Sequence, residues 1–258
     1  MKFKRLLLLI FPILIQSCQN DELNNNNLTE TTQVQKSNTN RFEDLHQLIQ
    51  TDINNRKKND SVVEGTPVVT IGNQVWMKYN LNVAHFSNGD EIKHAKTEEE
   101  WRRCCDKGIP AWCYIENNGK EYNAVFGKLY NEAAIKDNRG LVSKNWRIPN
   151  ENDWDILCQN YKLPTCNLKS KVGWMDKAIG NCGTVSPNPH LATSAFVIYP
   201  GGYRLSPSAF AAPFEWACLW TLNEQGETSV FNLTDQLAQV SFVAGDNYKG
   251  VNIRCIKR

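Results

Sequence analysis

Apolar and polar positions recur with different rhythms along this chain, and each rhythm predicts an element. Phe42, Leu45, Leu48, Ile49 and Ile53 repeat at helical spacing, so the stretch from Arg41 to Lys58 predicts a stalk helix, with Arg56-Lys57-Lys58 at its negative end. Val68, Val69 and Ile71, a Gly72-Asn73 turn and Gln74-Val75-Trp76-Met77 predict a hairpin. Thr97 and Glu100 are spaced as a capping box before Trp101, in which each side chain satisfies the other's backbone donor. That helix runs to Cys104-Cys105 and stops by Gly108 and Pro110. Ala124 to Ile135 reads as a strand end entering a helix, with Phe126, Leu129, Tyr130 and Ala133 on one side.

The middle of the chain carries the most definite join. Trp146 and Ile148 alternate with Arg147, Pro149 fixes a bend, and Asn150 is placed to N-cap a helix whose first turn holds Glu151 and Asp153. Trp154, Leu157 and Cys158 fall on one apolar face of that helix. Pro200-Gly201-Gly202 is a turn whose glycines permit positive φ or close approach. Phe210, Phe214, Trp216, Leu219 and Trp220 lead into a strand. Residues 230–233, 238–243 and 251–256 alternate as half-buried strands, so a terminal sheet closes the domain. Strands interleaved with short helices and many turn residues predict a loop-rich α+β fold.

Composition narrows the function. At 258 residues with 41% hydrophobic side chains, the chain can build one good core. A formal net charge of +2 gives no global field for nucleic acid, so no nucleic-acid partner is expected. Eight Trp and eight Tyr suit either a tightly packed irregular fold or a carbohydrate-stacking surface.

The first residues are an address. Lys2, Lys4 and Arg5 precede an apolar run, Leu6 through Ile15, too short to span a bilayer as a mature helix. Ile15-Gln16-Ser17-Cys18 resembles the lipobox of bacterial lipoproteins, although Gln16 is not the commonest occupant of its position. The resemblance implies a signal peptide over residues 1–17, lipid on the Cys18 thiol and acylation of the new amine. An ordinary secretory peptide with an incidental cysteine is the competing reading. Several acyl chains on one residue anchor stably where one chain holds only marginally. Residues 18–40, rich in Asn, Thr, Gln and Ser, predict a disordered tether, and 41–66 a stalk and linker. Asp21 and Glu22 resemble the acidic patch of surface-exported lipoproteins, and Gln19 departs from the enterobacterial retention signal. The expected location is the outer membrane, lipid-anchored, with display at the cell surface as a further step.

A series of phrases beyond residue 67 resembles one family. Ile71-Gly72-Asn73-Gln74-Val75-Trp76-Met77 with Asn80-Leu81, Pro110-Ala111-Trp112-Cys113-Tyr114 and Phe126-Gly127-Lys128-Leu129-Tyr130-Asn131 come first. Trp146-Arg147-Ile148-Pro149 through Trp154, Leu168-Lys169-Ser170 with Gly173-Trp174, Pro200-Gly201-Gly202-Tyr203-Arg204 and Gly250 through Lys257 follow in order. These blocks are similar to the Fibrobacter succinogenes major paralogous domain, found in secreted and lipid-anchored bacterial proteins. They imply a domain over residues 67–258 and, by analogy, a C-type-lectin-like fold, with short helices packed on a twisted, mainly antiparallel sheet. Asn145 stands where the family usually has Gly, and Asp153 where it usually has Glu. Cys218-Leu219-Trp220-Thr221-Leu222 replaces an aromatic pair followed by serines. Some relatives carry a cysteine before the central tryptophan that pairs with the last strand; here Leu141-Val142-Ser143-Lys144 occupies that neighbourhood, so Cys255 must find another partner or stay free.

Candidate chemistry is sparse. Of nine cysteines, eight are left once Cys18 is set apart. These are Cys104, Cys105, Cys113, Cys158, Cys166, Cys182, Cys218 and Cys255, and in an exported chain the even count predicts disulfides. No CxxC occurs and His46, His85, His94 and His190 are scattered, so neither metal nor cofactor is expected. There is no GxSxG elbow, no HExxH and no Cys/His pair, which leaves no catalytic residue to name. Glu151, Asp153 and Asp155 are the carboxylates a glycosidase reading would draw on. The Glu-Pro-Asn and Gln-Pro-Asp loops of calcium-dependent lectins are absent. The sequence therefore predicts a noncatalytic, lipid-anchored surface module that binds a glycan or protein through Trp112, Tyr114, Trp174, Tyr203 and Trp220. A cell-surface glycan hydrolase and an inert envelope lipoprotein are the alternatives.

Overall fold

The Gly72-Asn73 turn closes the predicted hairpin. After β1 (Ser61–Val63), strand β2 (Thr66–Ile71) runs antiparallel to β3 (Gln74–Met77), with Val69 opposite Trp76. This computed structural model describes residues 43–44, 46–52, 54, 61–63, 65–119, 126–161, 168–170, 174, 196–234 and 241–258. Cys18 with its leader and tether, Phe42, Leu45, Ile53, Arg56-Lys57-Lys58, Cys166, Cys182, His190 and Ala238-Gln239-Val240 lie outside the described residues.

The hairpin joins a sheet of order β1-β2-β3-β13-β7, in which β13 (Ile256–Lys257) lies antiparallel between β3 and β7 (Trp146–Arg147). The chain's last strand thus fastens its first hairpin to its middle. Three smaller sheets complete the topology. They comprise β4 (Lys93–His94), β5 (Ala111–Cys113) and β6 (Leu129–Tyr130); β8 (Tyr203–Ser206) with β9 (Ala209–Ala211); and β10 (Trp216–Leu222), β11 (Thr228–Thr234) and β12 (Ser241–Ala244). All pairings are antiparallel except β4 with β5. With helices α1 (Glu98–Asp106), α2 (Glu132–Lys136) and α3 (Glu151–Tyr161), the fold is α+β and loop-rich. Among the described residues no helix is long and apolar enough to cross a membrane.

The caps form where the sequence places them. Thr97 Oγ1 accepts the Glu100 amide at 3.1 Å, while the Glu100 carboxylate reaches back to the Lys96 amide at 2.7 Å. Asn131 Oδ1 caps α2 through the Ala134 amide at 3.1 Å and also accepts the Ala111 amide at 2.9 Å. One side chain therefore joins a helix start to a strand. Asn131 sets the helical register so that Ala134 is buried and Ala133 only partly so, one position from the expected face.

Aromatic side chains fill the interior. Trp154 stacks on Phe231 at 4.0 Å between ring centroids and meets Trp76 at 4.7 Å, joining α3 to β11 and β3. Such pairs each contribute about 0.5–1.5 kcal/mol beyond their buried area. Two of the three stretches expected as half-buried strands are more deeply enclosed than alternation implies, while β12 is partly buried or exposed throughout. Every residue of β11 and of 250–256 is buried. The reason is a second covering layer: Val251 pairs with Tyr130, Asn252 with Leu219, and the Ile253 and Cys255 carbonyls accept the Leu81 and Met77 amides. Within this run, Arg254 is held by the Lys78 carbonyl at 2.7 Å and by Asn80 Oδ1 at 2.8 Å, and burial lowers its pKa to about 10.

Among the described helical residues within 43–54, Ile49 is wholly buried with Trp101, Tyr199 and Phe214, and the Tyr199 hydroxyl donates to Asp52 at 2.6 Å. One expectation changes. The disulfide scaffold is absent among the described residues: Cys104, Cys105, Cys113, Cys158, Cys218 and Cys255 are free thiols. They serve as small apolar side chains in separate cores, Cys218 and Cys255 in one, Cys104, Cys105 and Cys113 in another, and Cys158 at the edge of a third. Burial pushes the Cys105, Cys113 and Cys255 thiols up to about 12 and Cys158 to about 11, which keeps them protonated.

Candidate ligand-binding face

The small sheet β4-β5-β6 brings three segments, far apart in the chain, under one cluster of side chains. Parallel pairing puts His94 opposite Trp112, and their rings stack at 3.7 Å with an interplanar angle of 10°. Trp112 is 6% exposed, and its indole N–H donates to the Ile92 carbonyl at 3.1 Å. Tyr114, two residues on, stands edge-on to Trp112 at 5.1 Å and to His94 at 5.5 Å. Lys128, just before β6, places its ammonium 4.5 Å from the Trp112 ring centroid and 5.5 Å from that of Tyr114. The same ammonium donates to the Asn82 carbonyl at 3.0 Å and to Asn82 Oδ1 at 2.6 Å.

Local backbone explains why Tyr114 stands as it does. It precedes a single turn of 3-10 helix, Ile115–Asn117, in which Glu116 and Asn117 take φ of 51° and 54°. Left-handed geometry at non-glycine residues is held only where surroundings enforce it. The Asn117 side chain accepts from Arg204 Nη1 at 3.3 Å, and Arg204 is itself clamped between the Trp101 and Phe210 rings at 4.9 and 4.8 Å. Gly119 then lies against the tyrosine ring, since a Cβ there would stand 2.2 Å from Tyr114 Cε2. The turn thereby packs one flank of Tyr114 and leaves the residue half-buried.

The electrostatics are one-sided. Burial lowers the His94 pKa, and Lys96 and Lys128 lower it further against a smaller opposing effect of Glu100. Burial also lowers Lys128 and raises Tyr114. Lys128 is 5% exposed, yet the oxygens around its ammonium are both neutral ones of Asn82. Glu100 pairs with Lys93 at 3.4 Å, whereas Lys96 forms no ion pair among the described residues.

Of the aromatic residues singled out in the sequence, the structure brings Trp112 and Tyr114 together. Trp174 and Trp220 lie deeper than the likewise buried Trp112, 2% and 0% exposed, with their indole N–H groups donating to Ser170 Oγ and to the Tyr130 carbonyl. Both rings are enclosed by core side chains, Trp174 with Leu168, Phe196 and Ile198 and Trp220 with Val251 and Ile253. Tyr203 is half-buried and stacks with Trp216 at 6.1 Å, on a different sheet from Trp112. His94, Lys128 and Asn82 were not singled out in the sequence. Lys128 lies within a quoted family phrase, but His94 carries no local signal, since its role arises from a parallel pairing across seventeen intervening residues. A separate concavity of about 470 Å³ lies between α1 and α2, bordered by Cys105, Asn131, Glu132 and Lys136. Two of its charged groups are engaged with each other: Glu132 holds Lys136 at 2.7 Å, and Glu132 also accepts from Thr228 Oγ1.

The family model described as the Fibrobacter succinogenes major domain matches residues 69–257, well over half of the chain. The chain belongs to this family. The matched span of the Fibrobacter succinogenes major domain begins on β2 and ends on β13, so it covers both partners of the strand pairing that closes the main sheet, and the aromatic face lies inside it. Among curated proteins and among solved structures, nothing matches the chain.

Proposed function

We propose that this member of the Fibrobacter succinogenes major domain family is a noncatalytic envelope-binding module. Lipid on Cys18 holds it to the outer membrane, facing outward, and the β4-β5-β6 face takes a glycan. The observation that carries this reading is the clustering of His94, Trp112, Tyr114 and Lys128, in which aromatic rings and a positive charge are fixed together in and beside the strands of one sheet. Apolar faces of sugar rings pack on the faces of aromatic rings, while a polar tip orients the hydroxyls. The Tyr114 hydroxyl has no partner among the described residues and is available for that purpose. A C-type-lectin-like likeness, carried by the Arg147-Ile148-Pro149 turn before Trp154, agrees with this reading.

Of the three carboxylates on which the hydrolase alternative draws, Asp153 is used otherwise by the fold. Both oxygens of Asp153 accept from Arg147, and one also accepts the Asn150 amide, so this group is committed to holding the head of α3. The test is a glycan array probed with the full chain in detergent micelles, alongside Tyr114→Ala. Retention of one glycan class, lost in the variant while the unfolding midpoint stays unchanged, supports the proposal. Silence across the array overturns it, and product release from a bound glycan favours the hydrolase.

A further inference from the structure

Lys128 is the unusual group in this cluster: a buried ammonium faced by neutral oxygens and ring faces, with no carboxylate beside it among the described residues. A desolvated cation without a counter-ion is costly, and the cost falls when an anion approaches. Around it the balance is also positive. Lys93, Lys96 and Lys128 all act on His94, and the opposing carboxylate, Glu100, is shared with Lys93 and the Lys96 amide. Lys96 is exposed and unpaired among the described residues, on the loop leading out of β4 beside His94. A charge pattern of this kind selects an acidic ligand, while the aromatic rings of Tyr114 and His94, both half-buried, favour one with an apolar face.

From this geometry we infer that the ligand of the β4-β5-β6 face is an acidic polysaccharide, with a sugar ring against Tyr114 and His94 and its carboxylate or sulfate turned toward Lys96 and Lys128. The inference rests on the binding role proposed above and narrows it to one chemical class. A nucleic acid would meet the same charges, but the chain's formal net charge of +2 supplies no extended basic track for a phosphate backbone.

Titration of the full chain in detergent micelles with an oligouronate, a neutral β-glucan oligosaccharide of equal length and a single-stranded oligodeoxynucleotide separates the outcomes. The expected result is binding of the oligouronate alone, weakening as salt is raised because the contacts lie near the surface. Lys96→Gln is expected to weaken it about threefold to fivefold, as for one screened charge contact. Tyr114→Ala is expected to weaken it about tenfold through lost ring packing. Binding of the neutral oligosaccharide with equal strength, unaffected by Lys96→Gln, overturns the acidic class while leaving the glycan-binding role in place. Preference for the oligodeoxynucleotide overturns both, as does absence of binding to all three probes. Unfolding curves for each variant report whether a loss is one of fold.

Discussion

Arg147 and Asp153 face each other in a two-pronged contact, Nη1 to Oδ2 at 2.5 Å and Nη2 to Oδ1 at 2.7 Å. Asp153 Oδ2 also accepts the Asn150 amide at 2.7 Å, and Asn150 Oδ1 accepts the Asp153 amide at 2.9 Å, which completes a reciprocal cap on α3. One carboxylate thus ties strand β7 to the helix that carries Trp154 into the core. Asp153→Ala removes the cap and strands a partly covered guanidinium, and is expected to cost about 2–3 kcal/mol in urea unfolding. Asp153→Glu restores the residue usual in the family and is expected to cost less than about 1 kcal/mol. Equal losses in the two variants would show that a carboxylate one methylene further out cannot make the cap and the ion pair.

Ile49 anchors the N-terminal helical residues in the same core as Trp101 and Phe214. Ile49→Ala is expected to lower stability by about 2–4 kcal/mol, the range for truncating a buried aliphatic side chain. The unfolding transition should shift as one step. A separate early transition, with the main midpoint unchanged, would mean that this segment is an independent stalk.

His94 supplies a pH signature. Its folded pKa is below the ordinary 6.5, first through burial and then through Lys96 and Lys128, so the unfolded chain binds the proton more readily. Stability from this residue is therefore complete above 6.5 and falls as pH drops from there toward the folded pKa. Ring-proton titration by NMR should give a midpoint below 6.5, and Lys96→Gln should raise that midpoint. A midpoint above 6.5 would contradict the stacked, partly dehydrated placement of the ring.

The buried thiols make a chemical prediction. Cys113 and Cys255 are fully enclosed with pKa values pushed up to about 12, so iodoacetamide at mildly alkaline pH should label them only after unfolding. Peptide mapping under non-reducing conditions should recover both as unbridged peptides. A linked peptide containing either one would restore the disulfide expectation.

Gly202 is a backbone requirement of a different kind. It sits at φ of 63°, and a Cβ there would come within 2.6 Å of the Ala211 carbonyl and 2.8 Å of the Pro213 nitrogen. Gly202→Ala is expected to destabilise by more than about 1 kcal/mol, because both the conformation and the space oppose it. Calorimetry of this single variant is sufficient to check it.

What the sequence determined by itself is local and short in range. The Gly72-Asn73 turn, the Thr97 and Asn150 caps and the Pro200-Gly201-Gly202 bend are written in adjacent residues, because dihedral preference and capping act over a few positions. The family was legible for a similar reason, since its phrases are these same turns with their flanking aromatics. Tertiary structure decided what each buried aromatic ring packs against. Trp112 and Trp220 each stand in apolar strand patterns and both are buried, yet the Asn252 segment runs beside Trp220, while β4 lays the half-buried His94 on Trp112. It also decided the fate of the cysteines, because an even count carries no information about which thiols share a core. The meeting of His94, Tyr114 and Lys128 depends on one parallel strand pairing and on Asn82 reaching across from another loop. Such contacts between distant segments are set by the packing of the whole domain, and no spacing along the chain encodes them.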